Sequence, residues 1–265
     1  MRYLDRGVVL LIVAVGLARE CSAHQKWLWP NTFAAEKAPV WISFDVTWSD
    51  RPFTAESGVG DQTIEVVGPT GERTKPPHIF IGKTKTTAEM ELTKPGVYRL
   101  EAVDPLTYWT RIEKDGKPQW LKKPKNEVTE AKITRSDLYW SKAIAYIAVG
   151  NATEMPPADD KEPLDIIPIN YPSQSVVGER LELKVQSYGK LLPNAELKVF
   201  QSDDDGHHPS QTIRCNEAGI GTVQLDTPGR CLVSCELDEE VADDAKADIH
   251  SFNFYLTLWM QPSIK

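Results

Sequence analysis

Basic residues are in the minority. The 265-residue chain holds 30 lysines and arginines against 38 aspartates and glutamates, a formal net charge of −8. That balance argues against nucleic acid and anionic membranes as partners and suits a soluble exported protein that meets cations. Cysteine is scarce, with four in the chain. Their small number and wide spacing exclude a disulfide-dense miniprotein, and the lack of a CxxC leaves a thioredoxin-like or zinc-ribbon role without support. There is no nucleophile elbow, phosphate loop, HExxH or dinucleotide fingerprint. The many paired carboxylates fall in no catalytic motif, so the chain reads as a non-enzyme. Long apolar runs are also missing: the one candidate, Gly7–Ala18, is too short for a bilayer, which needs about 20 apolar residues.

That run has a different use. Arg2 and Arg6 precede it, and "ARECSA" follows, with Cys21 and Ala23 at the −3 and −1 positions of a cleavage site. This is the pattern of a secretory signal peptide over residues 1–23. Glu20 ahead of Cys21 argues against a lipoprotein cut. Cleavage after Ala23 makes His24 the first mature residue; a cut two or three residues later is the competing position. The expected location is periplasmic or secreted, with no membrane insertion after cleavage.

Helical periodicity is almost absent from the remainder. Short alternating runs rich in β-branched and aromatic residues recur instead, punctuated by Gly, Pro, Asn and Asp. In residues 24–150 they fall at 40–48, 62–68, 86–92, 96–103, 107–113 and 142–150, with a "KDGK" hairpin turn at 114–117. "ITRSDLYWSKA" leans towards strand. "NATEMPPADDKEP" (151–163) reads as an interdomain linker. From 164 to 265, seven strands follow at 164–170, 179–189, 194–202, 211–215, 221–226, 229–237 and 251–260. The expected fold is all-β, two immunoglobulin-like β-sandwich domains in tandem, 24–150 and 164–265. Leu181, Leu183 and Val185, Leu197 and Val199, and Phe254, Leu256 and Leu258 alternate as inward faces. An internal echo links "MELTKPGVYRLEA" (90–102) to "VQLDTPGRCLVSC" (223–235), as two sandwiches on one plan would.

Candidate ligands are few. A terminal His24 offers its α-amino group and imidazole to one metal ion, and these donors suit nickel, cobalt or copper better than calcium. "SDDDGHHP" (202–209) places Asp205, His207 and His208 in one hairpin loop; its bland reading is a solvated turn. His250 and Asp248 are two apart on one side of any strand they join. His78 has no partner in sequence and reads as structural. Trp27, Trp29, Trp41, Trp109 and Trp120 could stack on sugars, although tryptophans at strand spacing more often pack a core. Among the cysteines, Cys231 and Cys235 lie four apart in one strand, about 13 Å, and cannot pair within the roughly 7 Å Cα limit. Cys215 precedes the "NEAG" turn, the next strand runs away from it and "GRCLVSC" returns, which brings Cys235 back to the level of Cys215. Cys215–Cys235 is therefore the expected disulfide, with Cys231 packed inside, and no disulfide at all is the equal alternative.

The "AHxxWL" start, "LTxPGxYxLEA", "YWSKAIAYIAVG", "PLDIIPIN", "YGKLLPNAELKVF" and the final "SFNFYLTLW" together resemble a family of secreted bacterial proteins. It is a domain-of-unknown-function family connected with nickel or cobalt uptake. The resemblance covers nearly all of the chain after the leader. It implies export, a β-sandwich, and delivery of a transition metal to a membrane transporter, with the family's leading histidine falling on His24. Relatives often carry a histidine after the first strand where this chain has "DVTWSDRPF", a departure that counts against metal binding. In its terminal histidine alone the chain also resembles small periplasmic copper-binding sandwiches. The functional expectation is a non-catalytic protein that binds or presents a divalent metal through His24, His207, His208, His250 and Asp205. The alternative is a structural or carbohydrate-binding module of the cell envelope.

Overall fold

Alternation at the period of a strand governs the chain, and a computed structural model, describing residues 24–129, 131–170, 176–202 and 208–262, is built of strands. The first half contributes β1 (Gln25–Pro30), β2 (Ala34–Ala35), β3 (Val40–Ser49), β4 (Thr63–Val67), β5 (Arg73–Thr74), β6 (His78–Ile81), β7 (Thr86–Leu92), β8 (Gly96–Lys114), β9 (Lys117–Leu121) and β10 (Lys132–Val149). The second contributes β11 (Asp165–Pro168), β12 (Arg180–Ser187), β13 (Lys190–Leu191), β14 (Glu196–Gln201), β15 (Gln211–Arg214), β16 (Ile220–Gln224), β17 (Gly229–Glu240) and β18 (Ile249–Met260). Among the described residues the helical content is one short 3-10 turn, Lys125–Glu127, and no helix is long and apolar enough to cross a membrane.

The two runs expected at 96–103 and 107–113 are one strand, β8. Pro105 has no N–H to give to the ladder, and the pairing of β8 with β10 shifts register there, opposite Tyr139 and Ser141. Asp115 and Gly116 take φ of 53° and 71°, the geometry of a two-residue hairpin turn, and return the chain as β9.

In the first half, β1–β3–β7–β6 form one layer and β10–β8–β4–β5 the other, with β2 added in parallel to the end of β10. In the second, β11–β12–β16 face β15–β14–β17–β18. Both are immunoglobulin-like Greek-key sandwiches. They are not strung loosely in tandem. β10 pairs in parallel with β18, Asp137–Ala145 against Ile249–Thr257, so the two layers fuse into one ten-stranded sheet.

The pleat then sorts the cores. Ala143, Ala145, Ile147 and Val149 of β10 face the first core with Leu28, Phe44 and Val46. Trp140, Ile144 and Tyr146 face the opposite way, into the second core with Leu183, Val199 and Phe254. The two covering sheets therefore lie on opposite faces of the shared sheet. The predicted inward sets Leu181, Leu183, Val185, Leu197, Val199, Phe254, Leu256 and Leu258 all lie in the second core.

Residues 151–163 carry no strand, but they are tied down by charge. Glu101 on β8 and Lys142 on β10 are almost fully buried, with Lys142 Nζ 3.0 Å from Glu101 Oε1 and 3.0 Å from Glu162 Oε1. Arg99 Nε donates to Glu101 at 2.6 Å and Arg73 at 2.7 Å. Arg99 also donates to the Pro157 carbonyl, and Arg73 reaches Asp159. Burial alone would raise the Glu101 carboxyl, yet Lys142, Arg99 and Arg73 outweigh it and hold the group down to about 2.

Glu101→Ala strands two buried cations and is expected to cost about 3–5 kcal/mol in urea unfolding. Because the folded value is depressed, the wild-type contribution is complete above about pH 4.3, the unfolded value, and fades as pH falls towards 2. A cost under about 1 kcal/mol would show that the cluster behaves as a surface pair and holds nothing.

Candidate functional site

The register of β1 on β3 places Gln25 opposite Ser49, so His24 and Asp50 meet just beyond the ladder. His24 Nδ1 stands 3.4 Å from Asp50 Oδ1, both exposed. His250 Nε2 lies 3.2 Å from Asp244 Oδ2, and its ring sits beside Phe252. Asp248, expected beside His250, instead accepts from Lys125 Nζ at 2.6 Å. Of the loop residues, His207 and Asp205 lie outside the described residues, and His208 is exposed. His250 shares the face of Phe252, in the second core, whereas β1 packs on the opposite face through Leu28. Among the described residues no three His, Cys, Asp or Glu side chains gather as a metal site. His24 and His250 are thus separate, each with an aspartate of its own.

His78 lies against Trp41, ring centroids 6.0 Å apart. Of the tryptophans, Trp27 is core, and Trp41 and Trp120 are exposed.

The expected Cys215–Cys235 bond is absent: both are buried thiols. Cys231 is buried, as expected. The error lies in the strand order. β15 and β17 do not neighbour each other but flank β14, where Leu197 pairs with Ile213 on one side and Cys235 on the other. Two strand spacings, about 10 Å, exceed the reach of a disulfide. Burial pushes the Cys235 thiol up to about 12, with the Cys215 thiol adding to it. Alkylation should be slow in the native protein and complete in denaturant, and non-reducing peptide maps should show no Cys215–Cys235 peptide. Recovery of that peptide would contradict the strand order.

A second feature has one signal in the sequence, Trp109 among the tryptophans that could stack on sugars. β8 and β10 run on past the end of the first sandwich and form a shelf. An open cleft of about 250 Å³ lies on it, lined by Trp48 of β3, Trp109 of β8, Tyr139 of β10, Asp61, Asp104 and Lys122. Lys122 Nζ pairs with Asp61 Oδ2 at 3.1 Å. Asp104 Oδ2 accepts from Ser141 Oγ at 2.6 Å, while its Oδ1 lies 3.2 Å from Lys26 Nζ. Lys26 is fully buried, with its ammonium 5.6 Å from the Trp48 ring centroid. The approach to Asp104 is a buried ion pair.

Burial drives the Lys26 ammonium down to about 8, and the attraction of Asp104 keeps it from falling further. Between about pH 8 and the unfolded value near 10.4, the unfolded chain binds more protons, so stability rises with pH in that window. Lys26→Met should flatten that rise in thermal unfolding. Parallel curves for the two proteins would mean that Lys26 titrates as an ordinary surface lysine.

Comparison with known proteins adds a family and little else. No curated protein matches the chain. Among solved structures, the D0–D1 domains of intimin share 15% identity, covering 88% of this chain and 97% of that one, at a TM-score of 0.22. The Escherichia coli adhesin FdeC shares 13% over 88% and 64%, at 0.25. A chimeric titin Z1Z2 shares 12% over 91% and 97%, at 0.22. Superpositions this poor carry no argument about function. The DUF4198 pattern spans residues 21–239, and the chain therefore belongs to the DUF4198 family, a domain of unknown function.

Proposed function

We propose that this protein is an exported, non-catalytic binding module that holds a divalent transition metal at its mature N-terminus and presents it to a membrane transporter. The observation that carries this reading is the His24–Asp50 pair. Two donors on one tetrahedral metal, each at about 2.1 Å, stand about 3.4 Å apart, and His24 Nδ1 and Asp50 Oδ1 are separated by 3.4 Å. Nδ1 is also the ring nitrogen that can close a six-membered chelate with the α-amino group of the same residue. Cleavage after Ala23 would free that amine, whose ordinary pKa near 8 lets it yield its proton to a metal at neutral pH. Amine, imidazole and one carboxylate favour nickel, cobalt or copper. The donor set thus narrows to His24 and Asp50; His250, on the other face, serves Asp244 instead.

Calorimetry with nickel, cobalt, copper and zinc on a chain beginning at His24 tests this. One glycine added before His24 should weaken binding at least about tenfold (about 1.4 kcal/mol) although the imidazole is intact, and Asp50→Asn should weaken it by a smaller factor. Equal affinity with and without the added glycine would reduce the terminal histidine to an accident of processing.

A further inference from the structure

We infer that the cleft on the β8–β10 shelf binds one neutral sugar ring. This site is separate from His24 and Asp50, and it stands whether or not metal binds there.

Three observations point to that ligand class. Trp48, Trp109 and Tyr139 come from three different strands, β3, β8 and β10, and converge on one cleft. All three are half-buried and line the cleft, while strand pairing fixes their positions. Aromatic faces of this kind pack on the C–H faces of a pyranose, with the polar edges left wet. Charge gives the second observation. Each lining carboxylate already has an ammonium beside it, Asp61 with Lys122 and Asp104 with Lys26. A ligand bearing a net charge would meet both signs at once and gain little, whereas hydroxyl groups can donate to the carboxylates and accept from Lys122.

The third observation is the state of Lys26 and Asp104. A lysine wholly removed from water and held by one carboxylate at 3.2 Å is costly to keep. Here it lies directly behind two lining residues, the Trp48 ring and the Asp104 carboxylate. With Ser141 on one oxygen and Lys26 on the other, Asp104 is held in one orientation. Each carboxylate oxygen still has a lone pair to accept a hydroxyl. Polar groups fixed on strands and set among aromatic walls are the usual composition of a small-molecule site. The volume, about 250 Å³, falls just under the roughly 300–1,000 Å³ of drug-sized pockets, room for one ring and not for a chain of them.

The experiment is a titration of the chain beginning at His24 with glucose, galactose, mannose and N-acetylglucosamine, with glucuronate and choline as charged controls. Tryptophan fluorescence and calorimetry are the readouts, in the presence of a chelator. At least one neutral sugar should saturate in the millimolar range or tighter, and shift the fluorescence. Asp104→Asn and Trp109→Ala should weaken it at least about tenfold (about 1.4 kcal/mol). Asp61→Asn, at a side chain that is largely exposed, provides a variant with little to lose in folding and should weaken binding severalfold. A glycine added before His24 should change nothing, which separates this site from the metal reading. Absence of saturation by every neutral sugar, or preference for glucuronate or choline, would overturn the proposal.

Discussion

The parallel ladder between β10 and β18 is the constraint on which the rest of the molecule depends. Each is the last strand of its sandwich, and each would otherwise present a long free edge. Joining them removes both edges at once and makes β10 a central strand buried on both faces. From Ser141 to Val149 every residue of β10 is buried. The alternate sides of that one strand feed two different cores, so neither sandwich can move without disturbing the packing of its neighbour.

The charged cluster follows from the same geometry. The face of β8 and β10 that looks away from the first core would be open to solvent near Arg99, Glu101 and Lys142. Residues 151–163 are laid over it, with Glu162, Asp159 and the Pro157 carbonyl meeting the cations. A segment with the composition of a linker is thereby used as a cover. Its acidic residues, which suggest solvation when read alone, pair with cations that sit sixty or more residues earlier or on the preceding strand.

Much of this fold could be read from alternation alone. The strands of the second sandwich and their inward faces lie where Leu181, Leu183, Val185 and their counterparts place them. What could not be read was pairing. "KAIAYIAVG" reads as a strand and is buried on both sides, yet an apolar run does not say which strand lies beside it. "QKWLWP" carries no alternation that marks it as a strand. With β1 unseen, the partner of His24 was unseen as well, since only the β1–β3 register brings Asp50 across. The disulfide failed for the same reason: spacing along the chain says how far apart two cysteines lie in one strand, not which strand separates them. The shelf cleft is assembled from β3, β8 and β10, and Lys26, next to a tryptophan in an unassigned segment, gave no sign of being buried.

The Pro-Gly echo acquires a meaning once the strands are placed. Pro95-Gly96 and Pro228-Gly229 occupy the same corner in each sandwich, the turn into β8 and the turn into β17. Gly96 pairs with Val149, and Gly229 with Met260, which fixes Leu256 as the structural counterpart of Ala145. In the shared ladder Ala145 lies beside Thr257, one residue from that counterpart. A two-fold axis along the strands would turn equivalent side chains to opposite faces, so one residue is the smallest offset the pleat permits. The two sandwiches are therefore related by a half-turn about the strand direction combined with a shift of one residue along it, so Ala145 meets Thr257 while Leu256 meets Ile144, and each covering sheet falls on its own face of the shared sheet.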